Sequence, residues 1–133
     1  MQNIHKSETI TQGIKIEVFP EFIPEQSSPE ENKYTFAYQV VITNEGDGWA
    51  KLVSRHWIII DADGNRDEVE GPGVVGYTPE LSPGESFEYT SFCTIDTNWG
   101  TMEGTYKMIR EDDSTFDAEI KRFYLVYPAL VQV

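Results

Sequence analysis

The feature that most constrains this chain is an alternation of period two. In YTFAYQVVI, residues 34–42, Tyr34, Phe36, Tyr38, Val40 and Ile42 alternate with Thr35, Ala37, Gln39 and Val41. Successive side chains of an extended strand point to opposite faces, so this stretch reads as a β-strand with one strongly apolar face. The same period returns in GIKIEV, where Ile14, Ile16 and Val18 alternate with Lys15 and Glu17. It returns again in SFEYTSFCTI, with Phe87, Tyr89, Ser91, Cys93 and Ile95 on one side, and in GTMEGTYKMI, with Met102, Gly104, Tyr106 and Met108. TFDAEIKRFYLVY supplies a last strand or pair of strands, and its alternation slips at Lys121–Arg122 as it would at a bulge. No window carries a helical period of useful length.

Turn chemistry fills the joints: FIPEQSSPEEN, NEGDG, DADGN, YTPELSPGE, TNWG and EDDS. Pro24, Pro29, Pro79 and Pro83 block any helix that would start there. Many short strands separated by turns make the fold all-β, and about seven antiparallel strands is the number of an immunoglobulin- or fibronectin type III-like β-sandwich. A chain of 133 residues without a Gly-, Ser- or Pro-rich linker is expected to form a single domain, 1–133. Cys93 is the lone cysteine, which excludes an intrachain disulfide and fits a reducing compartment. Residues 1–13 show no apolar run with a cleavage pattern, and apolar runs such as Trp57–Ile60 are far too short to span a bilayer. A cytoplasmic protein is the expectation. Acidic residues number 23 against 10 basic ones, for a net charge of −13. That field repels nucleic acid and anionic membrane, attracts cations or a basic partner, and serves solubility in any case.

The stretch EVEGPGVVG places Gly71, Gly73 and Gly76 at the spacing of a nucleotide-binding loop. Such a loop needs a helix after it, whose N-terminus holds the phosphates. Beyond Gly76 the chain runs YTPELSPGESFEY, with two prolines and no helical period, and no Gly-Lys-Ser/Thr. Two readings remain. The glycines either supply the positive φ of tight turns, or their amides form a nest for phosphate or pyrophosphate. Taking Asp63-Gly64 as a two-residue hairpin turn puts Asp61 opposite Arg66, Ile59 opposite Glu68 and Trp57 opposite Glu70. Arg55 and His56 then land near Gly71 and Pro72, and Arg55 is the anion-pairing side chain beside the loop, with Glu70 as its expected ion-pair partner. In that register Leu52, His56, Ile58, Ile60 and Val69 share the core face, and Lys51, Arg55, Trp57, Glu68 and Glu70 the other.

Other chemistry finds less support. DADGNRDEVE has carboxylates at several calcium-loop offsets, but the first ligand position is Ile59 and the flanks alternate as strands rather than helices. His5, His56 and Cys93 form no cluster at metal spacing, so no metal site is expected. Cys93 lies within an alternating strand with no identifiable base, and no catalytic residues are assigned. Trp99, in TNWG, either caps one end of the sandwich or anchors a partner.

GIKIEV, PEQSSPEENKYTFAYQVVITN, SRHWIIIDADG, EVEGPGVVGYTPELSPGESFEYTS and GTMEGTYKM occur in the order and spacing of the ApaG family, which the chain resembles from about Thr11 to Pro128. The resemblance implies a fibronectin type III-like sandwich in a small, free-standing cytoplasmic protein. It also implies an association with cobalt tolerance and magnesium efflux. Similar domains fused to F-box and polymerase-interacting proteins imply protein binding, and the family's glycine motif, proposed to bind pyrophosphate, corresponds to Gly71, Gly73 and Gly76. Phe92 stands where the family usually has glycine after YTS, and Tyr77 where it often has an acid. Three readings result. The first is a non-enzymatic protein-binding module without a cofactor, using a sheet edge or loop rim toward an unidentified protein partner. The second is a small-anion protein centred on Gly71, Gly73, Gly76 and Arg55. The third is a divalent-cation sensor whose acidic surface binds ions weakly. A homodimer is compatible with each.

Overall fold

The alternating segments pair into two antiparallel sheets in the computed structural model, which describes residues 5–131. The absence of a leader pattern in residues 1–13 and the single-domain span 1–133 therefore fall partly outside the described residues. The strands are β1 (Ser7–Thr11), β2 (Ile14–Phe22), β3 (Tyr34–Asn44), β4 (Ala50–Asp61), β5 (Arg66–Pro72), β6 (Glu80–Leu81), β7 (Ser86–Ile95), β8 (Trp99–Arg110) and β9 (Thr115–Val126). One sheet has the order β1-β2-β3-β7, the other β5-β4-β8-β9 with β6 added to β4. The described residues thus hold nine strands where about seven were expected. The additions are the short β1, whose SETIT sequence carries little apolar signal, and the two-residue β6.

The expected apolar faces of β2, β3, β7 and β8 meet between the sheets. Ile14, Val40, Tyr106 and Met108 are wholly buried there. The slip in β9 is a bulge: Met102 pairs with Phe123 and Gly104 with Ile120, so Lys121 and Arg122 both turn outward opposite Glu103. No helix among the described residues is long and apolar enough to cross a membrane.

β4 departs from the expected facing for two reasons. Its turn to β5 is a three-residue loop, Ala62 to Gly64, closed by the Asp61 N–H to Asn65 C=O bond at 3.0 Å. The register is therefore Trp57 opposite Val69, His56 opposite Glu70 and Arg55 opposite Gly71. Val53 is also an extra residue against β8, because Leu52 pairs with Met108 and Ser54 with Lys107. The bulge reverses the parity of the strand, so Leu52 and Trp57 both face inward. Trp57 packs edge-on against Tyr38, Tyr106 and Phe123 with centroids 5.4, 6.2 and 5.9 Å away. His56, Ile58 and Ile60 alternate with it and take the outer face.

The two seams of the sandwich differ. On one side β1 lies against β9: the Thr9 hydroxyl reaches Glu119 at 3.4 Å, the Glu119 N–H donates to Thr11 Oγ1 at 3.1 Å and the Tyr124 N–H to the His5 carbonyl at 3.3 Å. On the other side β5 and β7 each end a sheet, and neither pairs with the other.

Candidate functional site

The glycine stretch is built around Arg55. Its Nη1 donates to the Pro72 and Gly73 carbonyls at 2.9 and 3.0 Å. The guanidinium lies across Gly71, where an added Cβ would sit 3.0 Å from both terminal nitrogens. The loop therefore turns carbonyl acceptors toward the cation. The Gly73 N–H donates to the carbonyl of the bulged Val53 at 3.0 Å. Val74 and Tyr77 exchange both backbone hydrogen bonds at 2.8 Å around Val75, at φ +43°, and Gly76, at φ +86°. Two consecutive left-handed residues make this a tight turn of the type I′ class. A β-branched residue at positive φ is a strained exception, and Val75 is also half exposed.

Sequence reasoning brings Arg55 to the loop correctly but mistakes its partner. Glu70 lies on the outer face with Glu68, and the His56 Nε2 is 2.8 Å from Glu68 and 3.7 Å from Glu70. The one-residue difference in register puts Arg55 on the inner face and the two glutamates on the outer. The Arg55 charge acts on three inward phenols. Burial pushes Tyr38, Tyr89 and Tyr106 above the ordinary phenol range, and Arg55 offsets only part of that. The Tyr89 and Tyr106 hydroxyls are bonded to each other.

The other sequence candidates separate in space. Asp61 spends its carboxylate on its own loop: Oδ1 accepts the Asp63 and Asn65 N–H groups at 2.9 Å, and Oδ2 the Asn65 side chain at 3.1 Å. Desolvation raises its pKa, but those hydrogen bonds together outweigh it and hold the carboxyl below its usual range. Among the described residues no three His, Cys, Asp or Glu side chains come together as a metal-binding group. Burial, with the Asp67 charge added, pushes the Cys93 thiol up to about 11, so at neutral pH it is a thiol and a poor nucleophile. Trp99 opens β8 and is 42% exposed.

Sequence reasoning misses the feature that distinguishes β7. The Asn44 N–H donates to the Glu85 carbonyl at 2.9 Å, which fixes the phase of the β3–β7 ladder. Bonded and non-bonded pairs alternate in an antiparallel ladder. Phe87, Tyr89, Ser91 and Cys93 therefore turn their backbone groups to β3, and Ser86, Glu88, Thr90, Phe92 and Thr94 turn theirs away, where no strand among the described residues pairs with them. This ten-residue edge contains one charge, Glu88, and no Lys, Pro, Gly or bulge. Protein sheets ordinarily guard long edges with such features. β5 is guarded, by Arg66, Asp67, Glu68, Glu70 and Pro72, and β9 by its bulge at Lys121–Arg122. The sequence signal was the richness of SFEYTSFCTI in Phe, Tyr, Thr and Ile, but its meaning depends on strand order.

Comparison with known proteins agrees with the two-sheet fold. The family model described as the ApaG domain matches residues 24–110. Protein ApaG of Anaeromyxobacter dehalogenans (strain 2CP-C) is 52% identical over 122 residues, covering 92% of this chain and 96% of that protein. Protein ApaG of Dechloromonas aromatica (strain RCB) gives the same identity and coverage. The crystal structure of the ApaA protein from Bordetella pertussis matches with a TM-score of 0.85 at 48% identity, over 86% of this chain and 94% of that one.

Proposed function

The chain belongs to the ApaG family, and on that footing we propose that it is a non-enzymatic, cytoplasmic protein-binding module whose contact element is the free edge of β7. The observation that carries this reading is the length of that edge and its lack of guards. Outward N–H and C=O groups on alternate residues are what an extended partner segment needs in order to add a strand. The raised thiol of Cys93 and the neutral phenols behind it favour binding over chemistry. The family's association with metal tolerance would then act through the partner. The anion reading of Gly71, Gly73, Gly76 and Arg55 ranks second, because Arg55 Nη1 and the Gly73 amide already have protein partners.

Thr90→Pro tests the edge. Thr90 is exposed and its N–H points away from β3, so proline removes a donor from the edge without removing a ladder bond. Cross-linked capture from a native lysate should yield a partner with the wild type and with the β5 variant Arg66→Ala, and lose it with Thr90→Pro of unchanged circular dichroism. A partner held equally by all three would refute the assignment.

A further inference from the structure

We propose that the segment accepted by β7 is an extended strand of another protein, with apolar side chains on its inward face and a Lys or Arg at the end beside Asp67 and Asp96. This rests on the edge reading above and adds the chemistry of the occupant. Beyond Gly71, which Arg55 covers, the inner face of β5 is uncovered. Val69 pairs with Trp57 and Asp67 with Ile59, so both side chains point toward the interior, yet both are exposed. A strand hydrogen-bonded to β7 would lie about 4.8 Å beyond it, with its inward side chains in front of β5 at a sheet spacing of about 10 Å. Those side chains would cover Val69, now 41% exposed.

At the far end of β7 the gap narrows to a niche of about 90 Å³. Ile59, Asp61 and Asp67 line it from one sheet, and Cys93, Thr94 and Asp96 from the other. Three carboxylates and no basic side chain face it, on a chain of net charge −13. They do not converge into a metal-binding group, so the complementary charge is one carried on a long side chain. An antiparallel guest brings its first residues to this end, because β7 finishes there. A second copy of this chain is the poorer occupant. Joining β7 to its copy would bring the second Asp67, Glu68 and Glu70 toward the first, a juxtaposition of like charges.

The test uses two synthetic peptides, acetylated and amidated: KTVTVTVT and ETVTVTVT. Binding is followed by amide shifts and hydrogen exchange in the full chain. KTVTVTVT should protect the amides of Glu88, Thr90, Phe92 and Thr94 and shift Val69, and ETVTVTVT should bind roughly tenfold more weakly or worse. Asp67→Asn with Asp96→Asn should level the two peptides, and Thr90→Pro should abolish both. Equal binding of the two peptides to the wild type overturns the basic-residue inference and leaves the edge reading standing. Thr90→Pro without effect on peptide binding overturns both. A wild type that sediments as a dimer, is monomeric as Thr90→Pro and binds neither peptide assigns the edge to a second copy and overturns the inference. A monomeric wild type that binds neither overturns it as well.

Discussion

Three alanine substitutions in one glycine motif should have three different costs. At Gly76 the φ of +86° is unfavourable for alanine, but an added Cβ meets nothing within 4 Å. The loss is the left-handed backbone penalty alone, about 1 kcal/mol. Gly71 has no positive φ, and its Cβ would press on the far end of the Arg55 side chain, which can move aside. The loss there is the weakening of two partly exposed hydrogen bonds, about 1 kcal/mol or less. Gly73 combines a φ of +59° with a Cβ only 2.3 Å from the Tyr77 carbonyl oxygen, which is backbone and cannot step aside. That oxygen accepts the Val74 N–H. Relieving the clash opens the turn, forfeits hydrogen bonds of about 1 kcal/mol each and loosens the wholly buried Val74. Gly73→Ala should therefore cost about 3 kcal/mol or more. Urea unfolding followed by tryptophan fluorescence reads the difference, with the slope checked for constancy. Each kcal/mol corresponds to about 4 °C in Tm for a domain of this size. Gly73→Ala and Gly76→Ala of equal stability would refute the assignment of these glycines to backbone geometry and close approach. So would three folded variants of wild-type stability that had lost a saturable response to pyrophosphate.

Two further outcomes depend on particular contacts. Tyr89→Phe or Tyr106→Phe alone strands the other hydroxyl in the core and should cost about 1–2 kcal/mol, while the double variant recovers part of the loss; strictly additive losses in chemical unfolding would rule out the pairing. The His56 hydrogen bond, and then the Arg66 charge, holds the Glu68 carboxyl below its usual range. A depressed folded pKa means that its contribution to stability is present above the ordinary carboxylate pKa and is lost as pH falls through the folded value. His56→Ala should raise the Glu68 midpoint in a carbon-13 carboxyl titration, and an unmoved midpoint would remove His56 as the cause.

The strands with a single apolar face were legible because one face of each is buried and the other wet. β2 shows this plainly, with Ile14, Ile16 and Val18 buried and Lys15 and Glu17 partly exposed, and the slip at Lys121–Arg122 was legible because two adjacent polar residues break a period that is otherwise kept. β4 was not legible. Its run Trp57–Ile60 is apolar at every position, so periodicity offers both faces equally. The choice is made by the extra residue at Val53 and by a hairpin loop of three residues rather than two. Proximity of Arg55 to the glycines survived this error because a one-residue slip moves a side chain across the sheet but hardly along it. Its partners did not survive, since backbone carbonyls carry no signature in sequence. The free edge of β7 lay beyond periodicity altogether, because alternation tells which way side chains point and says nothing about which strand has a neighbour.

The sealed seam has a kinetic consequence. The contact between Thr9 and Glu119 joins residues 110 positions apart. The β1–β2, β4–β5 and β8–β9 hairpins close through loops of a few residues, whereas β1 meets β9 only after both terminal hairpins exist and have docked on the central strands. The entropy of closing so long a loop is lost before its few bonds form. Zipping that seam is therefore expected late on the way to the native state, and interactions made after the transition state slow unfolding while leaving the folding rate nearly untouched. The bonds between the first and last strands would in this sense latch the finished sandwich, so that Thr11→Val should speed unfolding in a denaturant-jump experiment and leave the folding rate nearly unchanged.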